Sequence, residues 1–275
     1  MTEPSSEPLR LMCILAHPDD ESLGTGGTLA KYAAEGVETS LVTATSGQCG
    51  WKGAPQEYPG PKALAALRTG ELRAAAKVLG IGQLFLLDHM DGELDGADVQ
   101  RTTSAIARHV REARPHVVVT FGPDGVYGHP DHIAISQFAT AAVTRAASPN
   151  GALDGAPHLV SKLYYMAATK GLMDAYQAAF GAFDKRVDGK SRRAVVWEDW
   201  AVTTRLDTRD HAASVWEAIA CHRSQLRDYQ RLQDLPEVQR QRIFGEQTYY
   251  RAFSLVNGGR DVEDDLFSGL RPGGR

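Results

Sequence analysis

The stretch LMCILAHPDDES, residues 11–22, begins as a continuous apolar run and ends in a cluster of polar and charged side chains. An unbroken apolar run of this length is typical of a strand that is buried on both faces of a parallel sheet. His17, Asp19 and Asp20 follow that strand at once, on the loop that leaves its carboxyl end. Open α/β sheets bind ligands at this end of their strands, so the stretch predicts both a fold and the place of a site.

The alternation of strand and helix continues through the first 170 residues. Strands are predicted at residues 11–16, 39–45, 84–87, 116–121 and 163–167, and helices at residues 23–35, 62–79, 99–114 and 131–147. This order predicts an α/β fold over residues 9–170, a Rossmann-like parallel sheet with helices on both faces.

The pattern weakens after residue 170, where a smaller C-terminal α+β section is predicted. Residues 171–260 are expected to complete the substrate pocket. Their predicted helices lie at residues 208–223 and 235–243, and their strands at residues 200–206 and 247–256. Residues 261–275 are rich in Asp and Gly, so a loosely ordered tail is expected there.

The composition argues against several classes of protein. The net charge is −4, and the charges are mixed in sign, unlike the basic stripe of a nucleic-acid binder. No apolar run approaches the ~18 residues of a membrane span, and the polar start MTEPSSEP does not resemble a signal peptide. Cys13, Cys49 and Cys221 have neither zinc-site nor disulfide spacing, which favours a reduced, cytoplasmic setting.

A second polar segment, YGHPDH at residues 127–132, follows the fourth predicted strand. In a doubly wound sheet the first and fourth strands are neighbours, so the two polar loops would face each other. Neutral imidazoles together with a carboxylate suit zinc, and a catalytic zinc keeps one position for water. Each proline restricts the preceding histidine to extended backbone. The two segments therefore predict a metal site, with Asp19 and Asp20 as one base and one ligand.

AHPDDE near the N-terminus with a later HPDH resembles the PIG-L/LmbE-like de-N-acetylase family, which includes the deacetylases of mycothiol and bacillithiol biosynthesis. The resemblance covers residues 9–170 and, more weakly, the remainder. It implies a hydrolase that removes the acetyl group from an N-acetylglucosaminyl conjugate, with one Zn²⁺ per chain or Fe²⁺ in its place. The implied partner is a small-molecule sugar conjugate, and a homo-oligomer is compatible with it.

The resemblance also implies the roles of individual residues. The implied metal ligands are His17, Asp20 and His132. Asp19 would be the general base, and His129 would stabilise the oxyanion as a cation paired with Asp131. Tyr127 would polarise the carbonyl group of the substrate.

Four further residues are expected on the substrate side. Arg68, in an Arg-x-x-Glu pattern that resembles the family's, is expected to reach the sugar; the alternative is a surface ion pair with Glu71. Asp91 is expected to accept a sugar hydroxyl, or else to be a turn residue. Gln48 stands where relatives often carry Glu, and its amide can still bond a hydroxyl. Trp51 is expected to stack on a sugar face or, alternatively, to pin its own loop.

The C-terminal segment CHRSQ, residues 221–225, resembles the family's usual H-x-S-Q. His222 and Gln225 are expected either to border the site or to end a helix.

Three other functions are compatible with the sequence. One is a zinc amidase acting on another N-acyl substrate, such as a thiol conjugate. Another is a nucleotide-binding Rossmann module that uses the glycines of GTGG, residues 24–27, although the spacing is not GxGxxG. The third is a catalytically silent binding protein, which the presence of both carboxylates and the motif imidazoles disfavours.

Overall fold

The computed structural model describes residues 7–149, 153–181, 185–187 and 189–271. The strands are β1 (Arg10–Leu15), β2 (Glu38–Thr45), β3 (Gln83–His89), β4 (Val117–Thr120), β5 (Lys162–Met166), β6 (Lys185–Val187), β7 (Lys190–Arg192), β8 (Thr204–Asp207) and β9 (Glu246–Ser254). The helices are α1 (Asp20–Gly24), α2 (Gly26–Ala34), α3 (Pro61–Val78), α4 (Val99–Ala113), α5 (Gly125–Gly128), α6 (Pro130–Ala147), α7 (Lys170–Phe180), α8 (Ala212–Cys221), α9 (Leu226–Gln233) and α10 (Glu237–Phe244).

Seven strands form one sheet in the order β3-β2-β1-β4-β5-β9-β8. The first five strands are parallel, which confirms the predicted α/β fold and its strand order. The predicted C-terminal strands extend this same sheet, because β9 pairs antiparallel with β5 and β8 pairs antiparallel with β9. The last hundred residues are therefore continuous with the sheet of the first 170.

Strand β1 lies inside the sheet between β2 and β4, and its residues 11–15 are fully buried. Helix α4 packs against α6, whereas α2 and α3 both pack against α8. Right-handed crossovers place these two groups of helices on opposite faces. Because the chain leaves β1 towards β2 and leaves β4 towards β5, the loops after β1 and β4 adjoin at the point where the strand order reverses.

The helix predicted at residues 23–35 is divided into α1 and α2 at Thr25. A Cβ atom on Gly27, in the first turn of α2, would lie only 2.7 Å from the Cβ atom of Thr208. This glycine therefore allows the close packing of α2 on the segment before α8. The packing explains the glycine-rich turn without a nucleotide.

Three elements of the C-terminal part were not predicted: α7, the β6–β7 hairpin and α9. Among the described residues, no helix combines the length and apolar character needed to cross a bilayer.

Residues 261–271 differ from the expected loosely ordered tail. Leu266 and Phe267 are fully buried, and the Phe267 ring lies edge-on to Tyr32 with their centroids 5.1 Å apart. Glu263 accepts hydrogen bonds of 2.6 Å each from the buried Lys162 ammonium and the Tyr164 hydroxyl. Glu263 also forms an ion pair with Arg251 at 2.8 Å. These apolar side chains and ion pairs thus hold a segment whose composition suggests a coil. Residues 272–275 lie outside the described part.

Phe267→Ala should lower the free energy of unfolding by about 3–5 kcal/mol, since a fully buried aromatic ring is replaced by a cavity. Val262→Ala is the control, because Val262 lies in the same segment and is 56% exposed. Its effect should stay within about 0.5 kcal/mol. Urea denaturation of both variants tests this; equally small losses would mean that the tail does not contribute to the core.

Candidate metal-dependent active site

The loop after β1 contains a strained turn. Asp19 has φ of 109°, in the left-handed region that non-glycine residues rarely adopt. Two carboxylates hold the turn: Asp20 Oδ2 accepts the backbone N–H of His17 at 2.7 Å, and Glu21 Oε2 accepts that of Asp19 at 3.0 Å. The sequence HPDDE thus supplies the hydrogen bonds that fix its own unusual backbone.

The loop after β4 places two imidazoles at the start of α6. His129 is the N-cap residue and has extended backbone (φ −65°, ψ 125°), as expected before a proline. The His132 ring stacks on Phe121 with 3.9 Å between centroids, and its Nδ1–H lies 3.2 Å from the Gly125 carbonyl. That hydrogen bond leaves the Nε2 lone pair of His132 facing the loop after β1.

The donor atoms of the three predicted ligands, with both oxygens of Asp20 among them, lie close together at the carboxyl ends of β1 and β4. His17 Nδ1 is 3.3 Å from His132 Nε2 and 3.6 Å from Asp20 Oδ2, and His132 Nε2 is 3.5 Å from Asp20 Oδ1. A tetrahedral zinc with bonds of about 2.0–2.1 Å holds its ligand atoms about 3.3–3.4 Å apart. The side chains are at most 10% exposed. Spacing and donor chemistry therefore both fit a divalent metal.

The surroundings of the three predicted ligands shift their pKa values in directions that favour a bound cation. Burial lowers the pKa of His132 to about 3, so its imidazole is neutral. Burial opposes ionisation of Asp20, but the neighbouring His132 and His17 hold the pKa of Asp20 below its usual range. Burial also disfavours charge on His17, but hydrogen bonds with Asp131, Asp20 and Asp91 raise the pKa of His17 well above its ordinary value. The surrounding carboxylates thus favour positive charge at this ring.

The second nitrogen of His17 faces two more carboxylates. Nε2 lies 3.0 Å from Asp131 Oδ2 and 3.1 Å from Asp91 Oδ1. Asp131 is fully buried and also accepts the backbone N–H groups of Gly92 at 2.8 Å and Leu94 at 3.1 Å. A carboxylate behind a histidine ligand fixes the ring and increases its basicity towards metal.

The structure does not show the expected pairing of the Asp131 carboxylate with His129. His129 Nδ1 instead accepts the backbone N–H of Asp131 at 3.2 Å, as an N-cap side chain does. Burial and the nearby charge of His17 lower the pKa of His129, which disfavours the cationic form of its ring. The reason is geometric, since the Asp131 carboxylate is directed towards His17 and the loop after β3.

Asp19 lies beside this group with one carboxylate oxygen anchored. Its Oδ2 accepts the Tyr229 hydroxyl at 3.0 Å and lies 3.3 Å from Arg68 Nη2. Burial raises the pKa of Asp19, and Arg68 partly opposes that effect. Tyr229, on α9, was missed by sequence reasoning because neither a motif nor a predicted element includes it. Its position four residues after the CHRSQ segment was the one available signal.

Comparisons with known proteins identify the family of the chain. The PIG-L model, described as GlcNAc-PI de-N-acetylase, matches residues 12–143. A 1D-myo-inositol 2-acetamido-2-deoxy-α-D-glucopyranoside deacetylase from Catenulispora acidiphila is 33% identical to the chain, over 98% of the chain and 100% of that protein. The chain belongs to the PIG-L family of de-N-acetylases.

Two solved structures share the fold of this family member. The conserved protein TT1542 from Thermus thermophilus superposes with a TM-score of 0.63 at 24% identity, covering 91% of this chain and 97% of that one. The N,N'-diacetylchitobiose deacetylase from Pyrococcus horikoshii gives a TM-score of 0.61 at 22% identity, covering 82% and 76%. At this identity the likeness concerns the fold.

Arg68, expected at the sugar, is only 3% exposed. Besides Asp19, its guanidinium contacts the carbonyl of Pro18 and, at 3.0 Å, the carbonyl of Gly47. The predicted alternative, an ion pair with Glu71, is not what the structure shows, because Glu71 accepts the backbone N–H and the hydroxyl of Ser224 at 2.7 Å each. Contact of Arg68 with the sugar remains a prediction. Arg68 thus joins the proposed base to the loop after β2.

Gln48 and Asp91 connect the loops after β2 and β3. Gln48 Oε1 accepts the backbone N–H of Asp91 at 3.2 Å, and Gln48 Nε2 donates to the His89 carbonyl at 3.3 Å. Asp91 Oδ2 accepts the backbone N–H of Cys49 at 3.1 Å. Both oxygens of Asp91 therefore have protein contacts, one with His17 and one with this loop.

Trp51 and Tyr127 border the site in different ways. The indole N–H of Trp51 donates to the Ala54 carbonyl at 2.9 Å, and its ring centroid is 6.3 Å from that of Tyr58, so Trp51 contacts its own loop. The Tyr127 ring lies edge-on to His129 and His132, with centroids 5.8 and 5.4 Å away. Stacking of Trp51 on a sugar remains a prediction.

The CHRSQ segment reaches the site from the C-terminal side. His222 Nε2 lies 2.7 Å from Glu21 Oε1, and Gln225 Nε2 donates to the Gly50 carbonyl at 2.6 Å. Burial opposes charge on both members of the first pair, yet their mutual attraction raises the pKa of His222 and lowers that of Glu21. His222 is the C-cap residue of α8 and Gln225 the N-cap residue of α9, so both lie at helix ends, and a place at the border of the site remains a prediction.

Asp131→Asn should weaken zinc binding about 10–100-fold, because the His17 ring loses the charged partner behind it. Asp88→Asn is the matched control, since Asp88 is an exposed carboxylate on β3. Zinc affinity is measured by competition with a chromophoric chelator. Equal affinity in both variants would show that Asp131 does not support the ligand.

Proposed function

We propose that the chain is a metal-dependent N-deacetylase that hydrolyses the acetamide of an N-acetylglucosaminyl–inositol conjugate. The observation that carries the proposal is the group of His17, Asp20 and His132, whose ligand atoms are 3.3–3.6 Å apart beside a buried, anchored Asp19. The substrate class is supported by the relative from Catenulispora acidiphila, which is named for such a conjugate and is matched over its full length.

The three ligands would hold Zn²⁺, to which imidazole and carboxylate donors are suited, with Fe²⁺ as the alternative. A metal held there supplies a Lewis acid that polarises the acyl oxygen and lowers the pKa of water to about 7. The protein's own contribution is to fix the ligands, through Asp131 and Asp91 behind His17.

Asp19 acts as the general base through Oδ1. Tyr229 and Arg68 both contact Oδ2, so the carboxylate is oriented while its other oxygen is left to take a proton from water. Burial makes the carboxylate more basic, and Arg68 keeps it ionised before the reaction. Once protonated, Oδ1 returns the proton to the nitrogen of the leaving amine, which balances the hydrolysis.

His129 and Tyr127 stabilise the developing oxyanion as neutral donors. Because His129 Nδ1 accepts the backbone N–H of Asp131, the neutral ring carries its proton on Nε2. That N–H, together with the Tyr127 hydroxyl, offers hydrogen bonds to an oxygen between the rings and the metal ligands. The proposed role of His129 thus survives without the cation that the sequence suggested.

Asp19→Asn should retain one metal per chain while kcat falls by about 10²–10⁴-fold, since the isosteric amide cannot accept the proton of water. Elemental analysis and steady-state kinetics are measured together, with Asp88→Asn as control. A variant with full metal and near-normal kcat would remove Asp19 from this role.

The substrate is tested by measuring released acetate. GlcNAc-inositol, N,N'-diacetylchitobiose and an N-acetylated thiol conjugate are compared, before and after metal removal with a chelator and after zinc is restored. The proposal expects zinc-dependent release, with the highest kcat/KM for GlcNAc-inositol. Preference for the thiol conjugate would favour the amidase alternative, and activity unaffected by chelation would contradict the metal-dependent mechanism.

A further inference from the structure

A buried pair beneath the active-site loop has no place in the mechanism described so far. Glu21 and His222 are both 0% exposed, and His222 Nε2 lies 2.7 Å from Glu21 Oε1. Glu21 lies on α1 and His222 directly after α8, 201 residues later in the sequence. Burial of such a pair carries a desolvation cost, so stability alone does not account for its presence.

The Glu21 carboxylate joins His222 to the backbone of the proposed base. Its Oε1 accepts the Ser22 hydroxyl at 2.6 Å as well as the His222 ring N–H. Its Oε2 accepts the backbone N–H of Asp19 at 3.0 Å. The hydrogen bonds at Oε1 fix the orientation of the Glu21 carboxylate. They therefore also fix the position of Oε2, which accepts the Asp19 N–H.

Asp19 needs such a hold because its backbone is strained. A non-glycine residue with φ of 109° is strained and persists only where its surroundings impose that conformation. If the N–H of Asp19 were released, the residue would relax towards ordinary φ values and its side chain would turn. Oδ1 would then leave the position from which it takes a proton.

His222 is itself firmly placed. It is the C-cap residue of α8, with its backbone N–H bonded to the Ile219 carbonyl at 3.0 Å. Its own carbonyl accepts the N–H of Gln225 at 2.9 Å, and Ser224 is held by Glu71. The backbone of His222 is thus fixed, and the ring N–H that donates to Glu21 can transmit the position of α8 to the loop after β1.

We propose that His222 is a positioning residue that acts through Glu21 to keep Asp19 in its left-handed conformation, aimed at the metal site. The inference rests on the proposed role of Asp19 as general base. His222 contacts neither a proposed ligand nor Asp19, so its effect belongs to kcat rather than to metal binding or to KM.

The test compares two amides at residue 222. In His222→Gln the amide nitrogen lies near the former Nε2 position and can still donate to Glu21, whereas in His222→Asn it lies near the former Nδ1 position and cannot. The Asn variant should lose about 10–100-fold in kcat, with little change in KM and one metal retained, and the Gln variant should recover most of that loss. Equal kcat in the two variants would overturn the proposal.

A second readout does not depend on metal or activity. In the metal-free protein, hydrogen exchange of the Asp19 backbone amide should be faster in His222→Asn than in the unsubstituted protein and in His222→Gln. His158→Asn is the matched control, because His158 is also buried and bonds the Pro115 carbonyl at 2.8 Å, at the start of β4. It should lower Tm without changing kcat or this exchange rate. Unchanged Asp19 exchange in His222→Asn would contradict the proposal.

If His222→Asn does not fold, Ser22→Ala removes the other donor to the same Glu21 oxygen and should give a smaller fall in kcat; an unchanged kcat there would count against the proposal. The unsubstituted protein and Asp19→Asn are assayed in parallel. An inactive unsubstituted protein would mean that the proposed function fails. An active one that loses activity in Asp19→Asn but not in His222→Asn would mean that only this inference fails.

Discussion

The arrangement of the site depends on the two ring nitrogens of His17. Nδ1 faces Asp20 and His132, whereas Nε2 faces Asp131 and Asp91. One imidazole therefore joins the loops that leave β1, β3 and β4, and each nitrogen has partners suited to a different task. A lone pair on Nδ1 is available to a cation because the proton on Nε2 is held by carboxylates. Because β1 and β4 are adjacent in the sheet, His17 can contact Asp131 and His132.

The balance of charges around His17 and His132 also favours a cation at this site. Three carboxylates, those of Asp20, Asp91 and Asp131, contact the imidazoles of His17 and His132, and Asp19 adds a fourth buried carboxylate in the loop after β1. Burial should make so much negative charge costly. Arg68 offsets part of the charge at Asp19, and hydrogen bonds from the backbone stabilise Asp131. A dication between the three ligands would offset more of it. The acidic groups are thus understandable as the surroundings of a cation, with separate roles for those that bind it and those that support its ligands.

The sequence was sufficient to predict the structure where the interactions are local. The apolar run before His17, the HPD segments and the regular strand spacing predicted the parallel strands and placed both loops at one edge. It was insufficient where a side chain's partner lies far away along the chain. Asp131 faces His17 instead of His129 because the loop after β3 offers it the N–H groups of Gly92 and Leu94. The hydroxyl of Tyr229 and the His222–Glu21 contact depend on how α8 and α9 pack, which no local pattern encodes.

The single mixed sheet has a consequence for synthesis of the protein. All three proposed ligands precede residue 133, so a growing chain can expose a complete donor set while β8 and β9 are still unmade. The groups that orient Asp19 from the C-terminal side, at residues 222 and 229, emerge from the ribosome much later. In the proposed mechanism, metal binding and alignment of the base would therefore be separable in time: a nascent or truncated chain that holds a metal would lack an aligned Asp19 and would not hydrolyse its substrate prematurely.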